Sequence, residues 1–352
     1  MNCRDCVRNW QRRYEPMQKL CEYKYHLSKE EKMKLKIFFQ KFTFLNQRYT
    51  EIKWRERHVS LGKENPDKIF YVVRRATCKV GLFSYVMTNL GQIRYALEHG
   101  YIPVIDMQNN NNTYLKEDEV GKKNIWEYYF EQPCGYGLAD IRKSKNIILS
   151  NGLIKNKIDF PTAQIAYDDN RLAFWKKVAD QHLNVLNEIV KEVEERKGRM
   201  FGDCRVLGVL ARGTDYVKSK PYKHPIQPEV NQLIAKSKEV MGAYLCERIY
   251  LVTEDQKIFK EFEVAFGEKL VAMNVERYQA KMGENINDII LSNHERDMYL
   301  EGKEYLESVL LLAKCNCLVA GNTSGTQGAL LFSSGYEYRY VFDLGVWNYE
   351  RG

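Results

Sequence analysis

The stretch Val206 to Asp215, VLGVLARGTD, decides the fold that this sequence predicts. Its first six residues, Val206 to Ala211, have the length and apolar composition of a strand buried on both faces of a sheet. The run ends abruptly in RGTD, which begins with Arg212. Ligands of open α/β sheets bind where strands end, so a cation close to a carboxylate at this point indicates a polyanion site. An ordinary strand exit with a surface arginine is the alternative.

Downstream of this strand, short apolar runs alternate with amphipathic segments to the end of the chain. We predict strands at 206–211, 248–253, 269–272, 317–321 and 340–344, and helices from about 228, at 256–266, at 297–314 and from about 324. Such alternation is typical of a doubly wound, mainly parallel sheet. The second half of the chain is therefore predicted to be one α/β domain.

The first half shows the same alternation after a different beginning. We predict strands at 68–73, 102–106 and 146–149, a helix at about 85–99, and one long helix from Asn170 or a neighbour through the charged run 191–199. Residues before Gly62 lack glycine and show helical spacing of apolar side chains, which indicates a helical N-terminal extension. The predicted units are an extension (1–62) and two α/β domains (63–198 and 199–352), with the active site in the cleft between the domains.

Composition narrows the possible functions of the protein but does not select one of them. The 352 residues carry a formal net charge of +8 that is spread along the chain, and this suits an anionic ligand, an acidic glycan, a membrane surface or nucleic acid. The first residues lack a signal-peptide core and no apolar run could span a membrane, so we expect a cytoplasmic protein. The nine cysteines include one CxxC pair, Cys3 and Cys6; a zinc site there would need two further ligands, such as Cys21 and His26.

Three stretches carry candidate binding residues. Leu318 to Thr326, LVAGNTSGT, is a strand that runs into small and hydroxyl residues and then a helix, a pattern that offers N–H groups and a helix dipole to a phosphate. Simple N-capping is the alternative, and the two can coexist. The loop 79–84 precedes another helix and lacks GxGxxG, while Trp126, Tyr128 and Tyr129 are candidates to line a glycan-binding cleft. The run Asn109 to Asn112 is interpreted as a surface loop.

These residues carry a resemblance. The segment 208–215, followed by His224-Pro225-Ile226, resembles the HxRRxD segment and downstream His-Pro-Ile of α1,6-fucosyltransferases and the related protein O- and α1,2-fucosyltransferases. The segments 252–255 and 312–329 resemble the second and third motifs of these families, and the order and spacing agree over roughly 205–345. The resemblance, which extends to bacterial polysaccharide fucosyltransferases, implies a GT-B fold with two Rossmann-like domains facing a cleft. It also implies inverting transfer without a metal, and the sequence has no DxD triplet.

The resemblance and the strand exits together give the expected site. Catalytic roles are expected for Arg212 and Asp215, with Arg212 as the diphosphate clamp. Donor-binding residues are expected to be Arg212, Gly213, His224, Glu254, Asp255, Glu307, Asn322, Thr323, Ser324 and Gly325, and acceptor-binding residues Gly81, Phe83, Trp126, Tyr128 and Tyr129. No metal ligand or cofactor is expected.

Four positions depart from the family pattern. Leu210 replaces its His, Gly213 its second Arg, Lys220 a Glu proposed as general base, and Ser308 a guanine-reading Asp, with Glu307 and Glu304 nearby. By position, the base could instead be Asp215, Glu254 or Asp106.

The expected function is transfer of fucose from GDP-fucose to a glycan acceptor. Its expected partners are a nucleotide sugar and a glycan, without nucleic acid, and a lipid-linked acceptor could hold the protein at the cytosolic face of a membrane. Three alternatives stay open: a transferase that uses another nucleotide sugar, a catalytically silent relative that binds nucleotide or glycan, and an RNA-binding or scaffolding protein. The last explains only the charge.

Overall fold

The structure is a computed structural model that describes residues 43–77, 80–153, 158–213, 222–278 and 297–348. Its strands are β1 (Arg57–Val59), β2 (Phe70–Val73), β3 (Ile102–Ile105), β4 (Ile147–Leu149), β5 (Val206–Leu210), β6 (Arg248–Val252), β7 (Leu270–Val271), β8 (Cys317–Gly321) and β9 (Tyr338–Phe342). Its α-helices are α1 (Thr43–Trp54), α2 (Leu82–Glu98), α3 (Asp169–His182), α4 (Asn187–Phe201), α5 (Val230–Ala243), α6 (Gln256–Phe266), α7 (Met298–Ala313) and α8 (Ser324–Phe332).

The strands form two sheets, one in each half of the chain. The first sheet has the order β1-β4-β2-β3, in which β2 pairs in parallel with both β3 and β4 while β1 pairs antiparallel with β4. The second sheet has the order β7-β6-β5-β8-β9, and all of its pairs are parallel. The predicted α/β class with two parallel-rich sheets is therefore confirmed, and it is the arrangement that the GT-B resemblance implies.

Strand β5 lies at the centre of the second sheet, as the opening apolar run predicts. All five of its residues are buried, because β6 and β8 flank it and helices cover both faces. A side chain on Gly208 would place its Cβ only 2.6 Å from Leu312 Cδ1. Glycine at this position therefore lets α7 pack closely on the sheet.

The two halves share one apolar core, and some of its residues also line the pocket between them. Helix α8 of the second half packs against α2 and α3 of the first half, and buried residues from both halves belong to the same core. The contact is close because Gly328 of α8 faces the ring of Phe83, where an added Cβ would come within 2.3 Å of ring carbons. The division into domains 63–198 and 199–352 stays a prediction, and the halves are interlocked by this core.

Two features of the first half differ from the sequence-based expectations. The predicted long helix is two helices, α3 and α4, because the segment between them pairs with the tract at 129–131: Leu186 N–H donates to Tyr129 O at 3.0 Å, and Val185 forms a bridge with Phe130. Gly198 lies inside α4, which ends at Phe201.

The N-terminal extension also differs, because residues 57–59 join the first sheet as β1 instead of ending a separate helical unit. Residues 1–42, with Cys3, Cys6, Cys21 and His26, lie outside the described residues.

Candidate active site

A pocket of about 810 Å³ lies between the two halves, beyond the carboxyl ends of strands from both sheets. The first wall comprises its lining residues at 80–88, 113–114 and 160–163. The second wall comprises those at 212, 223–225, 251–254, 273–278 and 322–327, and the lining residues at 301–308 lie on a helix that contacts both walls. Because the carboxyl ends of parallel strands meet at one edge, residues far apart in sequence meet here, as is typical of ligand sites in α/β folds.

The exit of β5 contributes an ion pair to the second wall. Arg212 lies in the lining with its side chain 19% exposed, and its Nε is 3.3 Å from Oε1 of Glu254, which follows β6. The same Oε1 accepts the N–H of Gly213 at 3.0 Å. Glu254 therefore links the exit of β6 to the exit of β5, and it holds the Arg212 guanidinium at the pocket surface.

Gly213 and Asp255 pack against each other at this strand exit, outside the pocket lining. An added Cβ on Gly213 would lie 2.4 Å from Asp255 Cβ, so there is no room for the second Arg of the family motif. Asp255 is 2% exposed and caps α6 by accepting the N–H groups of Lys257 and Ile258 at 2.8 and 3.2 Å. The expectation that Asp255 binds the donor is corrected: its carboxylate is used by the helix and does not line the pocket.

The amino end of α8 also faces the pocket. Thr323 is its N-cap, with Oγ1 accepting the Thr326 N–H at 3.2 Å, while Asn322 Nδ2 donates to Ala163 O of the first wall at 2.9 Å. Ser324 and Gly325 follow in the lining as the first helical residues. The first N–H groups of a helix have no acceptor within it. The structure therefore brings the predicted phosphate-binding turn into the same pocket as Arg212, and capping accompanies it.

Further cationic and ionisable side chains complete this wall. His224 and Lys223 lie at the rim, and partial removal from water lowers the pKa of His224. Arg277 donates to Met273 O at 2.9 Å and stacks over the Phe259 ring at 4.0 Å, and burial lowers its pKa. Of these lining residues, His224 was predicted from the sequence, whereas the segment 273–278 was not. That segment follows β7, which the sequence predicts as a strand at 269–272, so its position after a strand end is the signal that could have identified it.

Helix α7 presents one face to the pocket and the opposite face to α4. Glu301, Glu304, Tyr305 and Ser308 line the pocket with the i, i+3, i+4, i+7 spacing of a single helical face. Glu307 lies on the other side, with Oε2 3.4 Å from Arg196 Nε of α4 and 1% of the residue exposed. Burial raises the pKa of Glu307 to about 7 although Arg196 opposes the rise. The expected donor role of Glu307 is therefore corrected.

The first wall is built around the amino end of α2. Gly81 and Phe83 both line the pocket, as the sequence predicts. The Leu82 N–H donates to the Tyr114 hydroxyl at 2.7 Å, and the Val80 N–H donates to Thr113 Oγ1 at 3.1 Å. Polar groups of this wall are thus engaged by side chains of the same wall.

The aromatic tract lies in the core. Trp126 and Tyr129 are 1% and 0% exposed; the Trp126 indole donates to Glu131 O and the Tyr129 hydroxyl to Tyr299 O, each at 3.0 Å. Tyr128 is partly buried against the Tyr299 ring and is not in the lining. The expectation that these three side chains line a cleft is corrected, because their ring faces pack against protein. The pocket's aromatic side chains include Phe160 and Tyr305.

The remaining candidates fall into two groups. Asp106 is buried and accepts the N–H groups of Gln108 and Asn109 at 3.0 and 2.9 Å, so it stabilises its own loop and does not line the pocket. Asp215 and Lys220 lie outside the described residues. Across the described ranges, no group of three or more His, Cys, Asp or Glu side chains is arranged to hold a metal ion. Across the same ranges, no helix is long and apolar enough to cross a membrane.

Comparisons with known proteins give structural similarity alone. No protein-family model matches the sequence, and a search of curated proteins finds no match. Similar solved structures include fucosyltransferase NodZ from Bradyrhizobium, with 14% identity and a TM-score of 0.43 over 74% of this chain and 92% of that chain. POFUT1 in complex with GDP gives 11% and 0.45 over 78% and 98%, and a mutant of FUT1 from Arabidopsis thaliana with GDP gives 9% and 0.44 over 78% and 70%. At such values, the function of this chain rests on the chemistry of its own pocket.

Proposed function

We propose that this protein is a glycosyltransferase that moves a sugar from a nucleotide sugar to a glycan acceptor, with GDP-fucose as the donor. The observation that carries the proposal is that Arg212 and the amino end of α8 line one pocket. This combination suits a diphosphate, because a guanidinium binds two of its oxygens at once and helix N–H groups bind the others. Both also stabilise the negative charge that develops on the leaving phosphate.

The dimensions and the division of the pocket support the same function. A volume of about 810 Å³ is within the range of small-molecule and cofactor sites, about 300–1,000 Å³. The cationic side chains of the lining and the amino end of α8 belong to the second wall, whereas the first wall adds Gly81, Phe83 and Thr113. We therefore assign the donor diphosphate to the second wall and the acceptor to the first. The motif resemblance over 205–345 is the reason for naming GDP-fucose among nucleotide sugars.

We propose inverting transfer without a metal ion. Arg212, together with Ser324 and Gly325 at the start of α8, takes the place of a divalent cation against the diphosphate. The sequence supports this, because the DxD triplet of metal-dependent sugar transferases is missing from it.

The test is ligand binding in the presence of EDTA, with and without added magnesium. GDP and GDP-fucose are expected to raise the melting temperature in both conditions, because a ligand that binds the folded state stabilises it. UDP and UDP-glucose serve as controls for recognition of the guanine nucleobase. Stabilisation by UDP compounds and none by GDP compounds would overturn the donor assignment, and no stabilisation by any of the four would overturn the proposed function. Release of GDP from GDP-fucose then separates an enzyme from a silent binder.

A further inference from the structure

Helix α7 connects the two walls of the pocket. Its second half touches the second sheet, since the Tyr250 hydroxyl of β6 donates to Ser308 O at 3.3 Å and Ser308 Oγ is 3.3 Å from Met273 Sδ. Its first half touches the first half of the chain, where Gly302 faces Tyr129 so closely that an added Cβ would lie 2.1 Å from the Tyr129 hydroxyl. The pocket face of α7 therefore runs from the donor side at Ser308 to the acceptor side at Glu301.

Glu301 is a carboxylate at the acceptor end of this face. It lines the pocket, and the next residue, Gly302, packs against Tyr114 of the first wall, where an added Cβ would lie 3.1 Å from Tyr114 Cδ1. Burial is the main cause that raises the pKa of Tyr114, and the nearby Tyr305 and Glu301 add to the rise. The Tyr114 hydroxyl in turn accepts the Leu82 N–H, which fixes it at the start of α2. The Glu301 carboxylate thus lies where an acceptor on the first wall would meet the donor sugar.

Among the described residues, the other carboxylates of the lining are Glu254, Glu276 and Glu304, and they lie towards the donor side. Glu254 is engaged by Arg212 and by the Gly213 N–H. Glu304 lies one helical turn nearer to Ser308, whose hydroxyl donates to the Glu304 carbonyl at 2.7 Å. Glu276 lies on the segment that follows β7 of the second sheet. Position on the walls therefore favours Glu301 for chemistry on the acceptor.

We propose that Glu301 is the general base of the transfer, a role that rests on the proposed function. Its carboxylate accepts the proton of the acceptor hydroxyl while that oxygen forms a bond to C1 of the donor sugar. The bond from C1 to the diphosphate oxygen breaks, and its electron pair leaves with the nucleoside diphosphate beside Arg212 and α8. Lys220 stands where related transferases carry a Glu proposed as the base, and Glu301 supplies a carboxylate from a different element.

Two small nucleophiles test the role without knowledge of the natural acceptor. Water must lose a proton when it attacks the donor, whereas azide is already an anion and needs no base. We expect Glu301→Ala and Glu301→Gln to lower GDP release from GDP-fucose in water by roughly 10² to 10⁴, the usual contribution of a general base. With added azide, Glu301→Ala is expected to form fucosyl azide and to release GDP within about tenfold of the unmutated protein.

The controls separate chemistry from folding and from donor binding. Glu263→Gln removes an exposed carboxylate on α6, outside the pocket lining, and is expected to match the unmutated protein in both reactions. The melting temperature and the GDP dissociation constant of each Glu301 variant are measured alongside.

Three outcomes contradict the proposal. Near-normal GDP release in water by folded Glu301 variants overturns it, and so does equal loss with water and azide, which indicates a positioning role. If the unmutated protein binds GDP and transfers fucose to neither nucleophile nor glycan, the proposed function fails and the assignment of Glu301 fails with it.

Discussion

The two walls of the pocket each contain the amino end of a helix that follows a strand, yet they treat their polar groups differently. At α2, in the first wall, the Leu82 N–H donates to Tyr114 and the Val80 N–H to Thr113. At α8, in the second wall, the side chain of the N-cap Thr323 accepts the Thr326 N–H. It does not accept the N–H of Ser324 or of Gly325. Arg212 lies beside only the second of these turns, at the exit of β5.

This difference teaches that a helix amino end in a pocket is not by itself a phosphate site. The Leu82 N–H of α2 and the Val80 N–H before it have acceptors within the first wall, so an anion there would have to compete with existing hydrogen bonds. Ser324 and Gly325 follow the strand next to β5, whose exit carries Arg212, and all three residues line the pocket, which is an arrangement that suits a diphosphate. The second wall is therefore the donor wall in our proposal, and the following experiments test that asymmetry.

The largest effect is expected at Arg212. Arg212→Ala should lower GDP release from GDP-fucose by roughly 10² to 10³, the usual cost of losing one group that stabilises developing charge. Arg212→Lys should recover little, because a point charge cannot bind two phosphate oxygens as a guanidinium does. Steady-state rates measure both. Lys257→Ala, which removes a cation 78% exposed on α6, is the matched control. Near-normal turnover by a folded Arg212→Ala variant would contradict the assignment of the donor wall.

A smaller loss is expected when one N–H of α8 is removed. Ser324→Pro deletes the N–H of the first helical residue, a position that tolerates proline, and the extended backbone of Thr323 (φ −138°, ψ 167°) suits a following proline. Loss of a hydrogen bond to a charged group costs about 1.5–3 kcal/mol, so GDP should bind roughly ten to a hundred times more weakly. Ser324→Ala retains the N–H and separates the hydroxyl contribution. Calorimetry measures the GDP affinity of the unmutated protein and of both variants. An unchanged affinity for Ser324→Pro would contradict the assignment of α8 to the donor site.

The corresponding change on the first wall is expected to affect stability first. Tyr114→Phe leaves the buried Leu82 N–H without the hydroxyl that accepts it, at a cost of about 1–3 kcal/mol in the free energy of unfolding. Urea denaturation measures this loss, and GDP affinity should fall less than in Ser324→Pro. Equal weakening of GDP binding in both variants would mean that the walls are not divided between donor and acceptor.

The smallest effect is expected for Glu307, which lies on the face of α7 that packs against α4. Because the pKa of Glu307 is raised in the folded protein to about 7 from its usual 4.5, the folded state binds more protons than the unfolded state between these values. Its contribution to stability is therefore full below about pH 4.5 and is lost as the pH rises towards 7. Glu307→Gln should flatten this slope in melting temperature while GDP affinity is retained. A variant that binds GDP much more weakly would return Glu307 to the donor site.

Much of the fold could be predicted because strands and helices leave periodic patterns in the sequence. The predicted bounds of β8, of α6 and of the start of α8 coincide with the structure, and those of the other strands in the second sheet differ by one or two residues at their ends. The break between α3 and α4 could not be predicted. It arises from backbone pairing of Val185 and Leu186 with Phe130 and Tyr129, more than fifty residues earlier in the chain.

The aromatic tract shows a second limit. Trp126 and Tyr129 are amphipathic side chains that suit either a wet cleft or a buried position with one satisfied polar atom. The acceptors for their polar groups are the carbonyls of Glu131 and Tyr299, and the second of these comes from α7 in the other half of the chain. Tertiary packing therefore decides whether Trp126 and Tyr129 line a cleft or lie in the core.

The sequence by itself determined which elements form and which residues follow their ends. Arg212, Glu254 and Ser324 meet in one pocket because carboxyl ends of neighbouring parallel strands share an edge, and that rule needs no tertiary information. Only the tertiary structure decided which face of α7 meets the pocket. Helical periodicity places Glu301 beside Glu304 and Glu304 beside Glu307, each pair three residues apart, so it does not say which of the three faces the pocket. Packing against α4 buries Glu307 beside Arg196, whereas Glu301 lines the pocket next to Gly302, which packs against Tyr114 of the first wall.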